Sequence, residues 1–260
     1  MTPPPAEPDL TAALALMRSA SRIVAFTGAG ISAESGIPTY RDTEDSLWSR
    51  YDPDKFAHID HFLRDPSLFW RFFQDVRYQA IQTARPNPGH RALAALERIG
   101  KLKAVITQNI DGLHQEAGSR EVIELHGNTR VIRCLSCGTA YTMDEVHQQL
   151  RTQLPPPCRR CGGRLKPQVV FFGESLPEEA LRRAVELTGE CDLLLAVGSS
   201  LVVYPAAFLP EQAKRRGAGL VIINKTATHA DAIADAVLCA PAGEVLPRLA
   251  EAAGAPCDAD

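Results

Sequence analysis

Four short apolar runs punctuate the chain: Arg22 to Thr27, Lys103 to Thr107, Leu193 to Val197 and Gly219 to Ile223. Runs that stay apolar instead of alternating suit parallel strands buried on both faces. Between them, apolar residues return at helical intervals. Leu93 and Leu96 share a face in His90 to Ile99, and Leu181, Val185 and Leu187 form the apolar positions of a helix that Pro177 opens. Strands and helices in alternation predict an α/β fold, a parallel sheet covered by helices on both sides.

Two segments break the rhythm. Trp48, Tyr51, Phe56, Phe62, Phe69, Trp70, Phe72, Phe73 and Tyr78 make up more than half of the aromatic residues. Phe69, Phe72 and Phe73 stand at i, i+3 and i+4, the spacing of a helix that buries one face, and the same rings could wall an apolar pocket. The second segment, from about Val131 to Lys166, carries four cysteines, three consecutive prolines (Pro155, Pro156, Pro157) and the pair Gly162-Gly163. It is too small for a core of its own and needs a staple.

Composition narrows the class. With 260 residues, 45% of them hydrophobic, the chain can bury one sizeable domain carrying a smaller insertion, which excludes full disorder. A formal charge of −3 gives no general attraction to nucleic acid or to an anionic membrane. The opening Met1-Thr2-Pro3-Pro4-Pro5-Ala6-Glu7-Pro8 lacks a basic stretch followed by an apolar one, so it reads as a proline-rich lead-in and not as a secretory signal. No apolar run reaches the roughly 18 residues needed to cross a bilayer. These points predict a soluble, cytoplasmic protein without a membrane partner, and a monomer is the expectation for its oligomeric state. Seven cysteines in such a chain suit metal binding or catalysis better than disulfides. Cys191, Cys239 and Cys257 are scattered, and Cys191 is expected to be a small interior residue.

The pairs Cys134-x-x-Cys137 and Cys158-x-x-Cys161, separated by twenty residues, have the spacing of a four-cysteine zinc ribbon. Gly138 and Gly162, one after each pair, suit the tight turns that bring backbone amides toward sulfur. Four thiolates leave no open position for water, so the zinc is expected to be structural. A redox pair, an iron-sulfur site and a nucleic-acid-binding ribbon, the last suggested by Arg159, Arg160, Arg164 and Lys166, are the competing readings.

After the first apolar run, Gly28-Ala29-Gly30-Ile31-Ser32-Ala33 fits G-x-G-x-x-A, whose glycines let backbone approach a pyrophosphate. The acidic ribose partner expected about 20 positions later is not at a strand end, because Glu44 and Asp45 read as loop. Thr107-Gln108-Asn109-Ile110-Asp111-Gly112 follows the second run and offers carboxamides that donate and accept, suited to an amide or to sugar hydroxyls. His126, in Glu124-Leu125-His126-Gly127, is a candidate general base beside a glycine that leaves room for substrate. Each feature alone has an ordinary explanation: a glycine turn, a polar loop, a structural histidine.

Together, and in this order, the motifs resemble the sirtuin family of NAD-dependent protein lysine deacylases over roughly Ser21 to Leu249. The first signature runs from Gly28 to Asp42, with Thr39-Tyr40-Arg41 where the family often has Asp-Phe-Arg. The resemblance implies a Rossmann-like NAD domain from residues 10–43, 88–130 and 167–253. It implies a smaller domain from a helical insertion (44–87) and a zinc-ribbon insertion (131–166). It assigns NAD to Gly28, Ala29, Gly30, Ser32, Glu34, Thr39, Tyr40 and Arg41; to Gln108, Asn109, Ile110 and Asp111; to Gly198, Ser199 and Ser200; and to Asn224, Lys225, Thr226 and Ala242. His126 and Asn109 become the catalytic residues, with His114 structural near Asp111 and the other histidines outside the set. Val169, Val170, Phe172, Gly173 and Glu174 become the segment that pairs edge-on with an acyl-lysine peptide. In the implied chemistry the acyl oxygen displaces nicotinamide from the ribose carbon and His126 relays a ribose hydroxyl proton. The products are nicotinamide, O-acyl-ADP-ribose and free lysine.

Family members that remove succinyl or malonyl groups carry a tyrosine and an arginine three apart in the aromatic segment, the arginine acting as a fork for a carboxylate. Here one alignment puts Gln74 and Arg77 at those positions, and another puts Phe73 and Val76 there. An apolar acyl pocket is therefore expected. A protein ADP-ribosyltransferase and a non-catalytic NAD-sensing or nucleic-acid-binding protein are the rival functions.

Overall fold

The computed structural model describes residues 7–39 and 47–256, so Tyr40, Arg41, Glu44, Asp45, Cys257 and most of the proline-rich lead-in lie outside the described residues. Its strands are β1 (Ile23–Thr27), β2 (Leu102–Thr107), β3 (Val122–Glu124), β4 (Gly127–Cys134), β5 (Ala140–Thr142), β6 (Leu165–Val169), β7 (Leu193–Val197), β8 (Gly219–Ile223) and β9 (Ala236–Leu238). Six of them form one parallel, Rossmann-like sheet in the order β3-β2-β1-β7-β8-β9. The four apolar runs became β1, β2, β7 and β8, and every residue of β1 and β7 is buried.

Period-two alternation divides the sheet residues between two cores. On one face Ile23, Ala25, Leu193, Leu195, Val221 and Ile223 pack with Met17, Leu93, Leu96, Leu246 and Leu249, which come from the helices Glu7–Ser19, Pro88–Arg98 and Ala242–Ala252. On the other, Val24, Phe26, Leu194, Ala196, Leu220 and Ile222 pack with Ala184, Leu187, Leu209 and Ala213 from the helices Glu178–Glu190 and Phe208–Arg215. Val185 departs from the sequence reading. It is exposed, and Ala184, Leu187 and Thr188 form the buried stripe of that helix. Cys191 is buried, and burial pushes its thiol up to about 11.

Outside the parallel sheet, a small domain is built mainly around the antiparallel sheet β5-β4-β6 and the helices between residues 47 and 83. Asp52 and Asp65 start two of these helices by accepting from the N–H groups of Asp54 and Ser67, each with a proline at the first helical position. The aromatic insertion and the cysteine segment share one core. Phe62, Phe69, Trp70 and Phe73 pack on Ile132, Tyr141, Leu165, Phe171, Cys134 and Cys158. Trp70 is fully buried and its Nε1–H donates to the Leu165 carbonyl at 3.2 Å. Neither segment could bury these rings without the other. Among the described residues no helix is long and apolar enough to cross a membrane.

Candidate active site

Strand order reverses at β1, whose neighbours β2 and β7 lead to opposite edges of the sheet. Open parallel sheets take ligands outside the strand ends at such a point. There the turns after β1 and β7 lock together: Gly28 N–H donates to Val197 O at 3.0 Å and Gly30 N–H to Gly198 O at 2.8 Å, while Gly198 N–H donates to Ile223 O at the end of β8 at 2.8 Å. A Cβ on Gly30 would stand 2.6 Å from Gly198 Cα, and one on Gly28 2.8 Å from Gly198 O. Only glycine permits this approach, and the cradle it leaves fits a dinucleotide pyrophosphate.

The cradle opens into a cavity of about 260 Å³ between the two domains. Gly28, Ala29, Gly30, Gln108, Asn109, Ile110, His126, Gly198, Ser199 and Ser200 line it, as does the whole run Val169 to Glu174. Gln108 Nε2 donates to Ser199 Oγ at 2.8 Å, joining the loops after β2 and β7. His126 Nδ1 lies 3.0 Å from the Gln108 carbonyl oxygen. A carbonyl only accepts, so Nδ1 carries the ring proton and Nε2 is the basic nitrogen. Gly127 lets the chain turn here at φ +68°, and a Cβ on it would collide with the Gln168 carbonyl oxygen.

Behind the cavity Ser32 is a hub. Its hydroxyl donates to Asp111 Oδ2 at 2.8 Å, accepts from Asn109 Nδ2 at 3.0 Å and lies 3.4 Å from His90 Nε2. His90 Nδ1 accepts from the Asn87 N–H at 3.3 Å, so its proton sits on Nε2 and points to the serine. Burial holds His90 down to about 4, against the opposing pull of Asp111. His114 is held well below its ordinary value by burial and by neighbouring His90. Its Nε2 lies 2.9 Å from Thr27 Oγ1, and Thr27 donates to Thr107 Oγ1, which in turn accepts from Asn109 N–H. His114 thus meets the strand-end threonines and the His90 ring.

Several expected NAD residues do not line this cavity. Glu34 accepts from Gly243 N–H at 2.8 Å, so its charge serves the first turn of the helix Ala242–Ala252. Ala242 is buried in the core on one face of the sheet. Asn224, Lys225 and Thr226 follow β8 on the same sheet edge as the cradle, with Asn224 Nδ2 donating to Thr226 O at 2.8 Å, but they do not line the cavity. Thr39 also lies off it. Two contributors were missed, His90 and Asn87, both in Pro86-Asn87-Pro88-Gly89-His90, in which Asn87 caps the helix Pro88–Arg98 and donates to Ile31 O at 2.7 Å. An Asn-Pro helix start was legible there. Arg77, which one of the two alignments singled out, is buried, lines the cavity and donates to Pro38 O at 3.2 Å.

The four cysteines converge. All four sulfurs lie within 4.8 Å of one another, with Cys134 to Cys161 at 3.5 Å and Cys137 to Cys158 at 3.7 Å. A tetrahedron with Zn–S bonds of about 2.3 Å has edges of about 3.8 Å, so the set fits zinc. Gly138 and Gly162 take positive φ after each pair, as the spacing predicted. The Tyr141 hydroxyl lies 3.1 Å from Cys158 Sγ, placed to donate to a thiolate there.

The profile of the Sir2 family matches residues 28–205. A Pyrobaculum aerophilum protein named NAD-dependent protein deacylase 2 is 52% identical, over 91% of this chain and 92% of its own. A Pseudomonas aeruginosa protein named NAD-dependent protein deacylase 1 is 46% identical, over 92% and 97%. Among solved structures, a Sir2 protein with a deacetylated p53 peptide and 3'-O-acetyl ADP ribose superposes with a TM-score of 0.89 at 42% identity, covering 94% of this chain and 98% of that one. Another, Sir2 bound to acetylated peptide, gives 0.85 at 41% identity over 93% and 97%. By its motifs, its fold and these likenesses, the chain belongs to the Sir2 family, the sirtuins.

Proposed function

We propose that this protein removes acyl groups from lysine side chains of proteins, consuming NAD and releasing nicotinamide, O-acyl-ADP-ribose and free lysine. The observation that carries the reading is His126: its basic Nε2 belongs to a ring fixed by Gln108 O, on the same cavity as the glycine cradle and the Val169 to Glu174 run. NAD supplies the electrophilic ribose carbon and the leaving group. His126 takes and returns a ribose hydroxyl proton, while Asn109, fixed by Ser32 and Thr107, orients the reacting groups. We assign the pyrophosphate to Gly28, Ala29, Gly30 and the Gly198 turn, and the adenosine end to the Asn224 to Thr226 strand end.

The residues of the Rossmann-like domain are taken as 10–43, 88–130 and 167–253, and those of the smaller domain as 44–87 and 131–166. Phe69, Phe72, Phe73, Ile110 and Leu176 give the cavity an apolar wall, which supports acetyl or other apolar acyl groups. A π-helix at Phe73–Tyr78 adds a residue to the turn, so Phe73 and Arg77 line the cavity at a spacing of four. Neither of the two alignments pairs them. The zinc thiolates suit a reducing, cytoplasmic setting.

Mass spectrometry of an acetyl-lysine peptide incubated with protein and NAD tests the reading. The expected result is loss of the acetyl mass and formation of O-acetyl-ADP-ribose, with turnover falling about 10²-fold or more in His126→Ala. Gain of ADP-ribose on the peptide would establish the transferase instead. No nicotinamide release with any acyl-peptide would leave a binding protein.

A further inference from the structure

The two strands β4 and β6 join the metal site to the reaction centre. At one end Cys134 on β4 pairs with Leu165 on β6. At the other, Gly127 pairs with Val169, directly after His126 and directly before Val170, and Val170 N–H donates to His126 O at 2.9 Å. The run beyond β6 therefore continues from a strand that starts at the zinc ribbon and emerges beside His126.

What shapes that run is one buried ammonium. Lys166 is 8% exposed. Its Nζ donates to Val169 O at 2.7 Å and to Glu174 Oε2 at 2.8 Å, and it stands 4.3 Å from the centre of the Phe171 ring. A lysine ammonium has three donors on one nitrogen, and here a carbonyl, a carboxylate and a ring face surround it. The same Glu174 Oε2 accepts from Phe171 N–H at 2.8 Å. Residues 169–174 are folded around a single point charge, and Glu174 is committed to holding that fold. Lys166 is thus withdrawn from the basic cluster of Arg159, Arg160 and Arg164, which leaves less cationic surface for nucleic acid.

We infer that Lys166 and Glu174 are a positioning pair, which holds the acyl-peptide-binding run in place beside His126 and so links the zinc ribbon to substrate binding. The inference rests on the deacylase reading and adds residues to it. An arginine keeps the charge and can both pair with a carboxylate and stack on a ring, so Lys166→Arg is the conservative variant of this pair.

Steady-state kinetics with an acetyl-lysine peptide, run on zinc-loaded wild type, Lys166→Met, Lys166→Arg and Glu174→Gln, test it. Peptide KM should rise about tenfold or more in Lys166→Met and Glu174→Gln, with the NAD KM within about twofold of wild type and one zinc per chain retained. Lys166→Arg should keep the peptide KM closer to wild type than Lys166→Met does, whereas a KM equally high in both would overturn the ion pair as the holding contact. If Lys166→Met fails to fold, Glu174→Gln decides, because its amide oxygen still accepts from Phe171 N–H. Unchanged peptide KM in folded, zinc-loaded Glu174→Gln overturns the inference, as does an NAD KM that rises in parallel with it. A wild type that turns over no acyl-peptide removes the deacylase reading and this inference with it.

Discussion

His90 shows how much one buried ring can couple. Its Nδ1 accepts from the helix start at Asn87 and its Nε2 faces Ser32, which in turn holds Asn109 and Asp111. A second proton would cost the Asn87 bond and place a charge on a fully buried ring. Because its folded-state value, about 4, lies below the ordinary 6.5, the unfolded chain takes up the proton first. The stability it contributes is complete above about pH 6.5 and is lost as pH falls toward 4, up to about 3 kcal/mol. His114 acts in the same direction. Urea midpoints measured between pH 4 and 7 should therefore fall less steeply toward acid for His90→Gln than for wild type. Parallel acid limbs for the two proteins would show that the ring titrates normally in the folded state.

At the scale of elements, what the sequence made visible was whatever burial writes as composition. β1, β2, β7 and β8 stood out because strands covered on both faces are continuously apolar. β3 and β9, three residues each, are too short for such a signal, and their places at the sheet edges are set by crossovers. The cysteine spacing announced the ribbon, but nothing local announced that the aromatic insertion would supply its core. The extra residue of the π-turn likewise leaves no local mark, so Arg77 could be aligned but not placed. His90 was passed over because its partner Ser32 lies 58 residues away. The shared core carries a prediction of its own. Removing zinc frees Cys134 and Cys158 from the cluster that contains Trp70 and Leu165. In a Trp48→Phe background, a strong chelator should shift Trp70 emission to the red as zinc leaves, and re-added zinc should reverse it. Emission that stays blue after complete zinc loss would mean that aromatic packing alone sustains the small domain.

For the whole molecule, the decisive place is the switch point, where two glycine turns from distant parts of the chain interlock and both domains meet one cavity. A ligand bound there should stabilise the folded chain as a unit. At a hundred times its Kd, NAD would add about 2.7 kcal/mol, roughly 5–10 °C in Tm for a chain of this size. Gly30 and Gly36 separate the cradle from mere loop strain. A Cβ on Gly36 meets nothing within 4 Å although its φ is +84°, so Gly36→Ala should cost about 1 kcal/mol and keep the full NAD shift. A Cβ on Gly30 runs into Gly198 backbone, so Gly30→Ala must push apart the two turns that form the cradle. Its Tm should fall further, and NAD should raise it little or not at all. Equal NAD shifts in the two variants would place the dinucleotide away from the interlocked turns and require another site for its pyrophosphate.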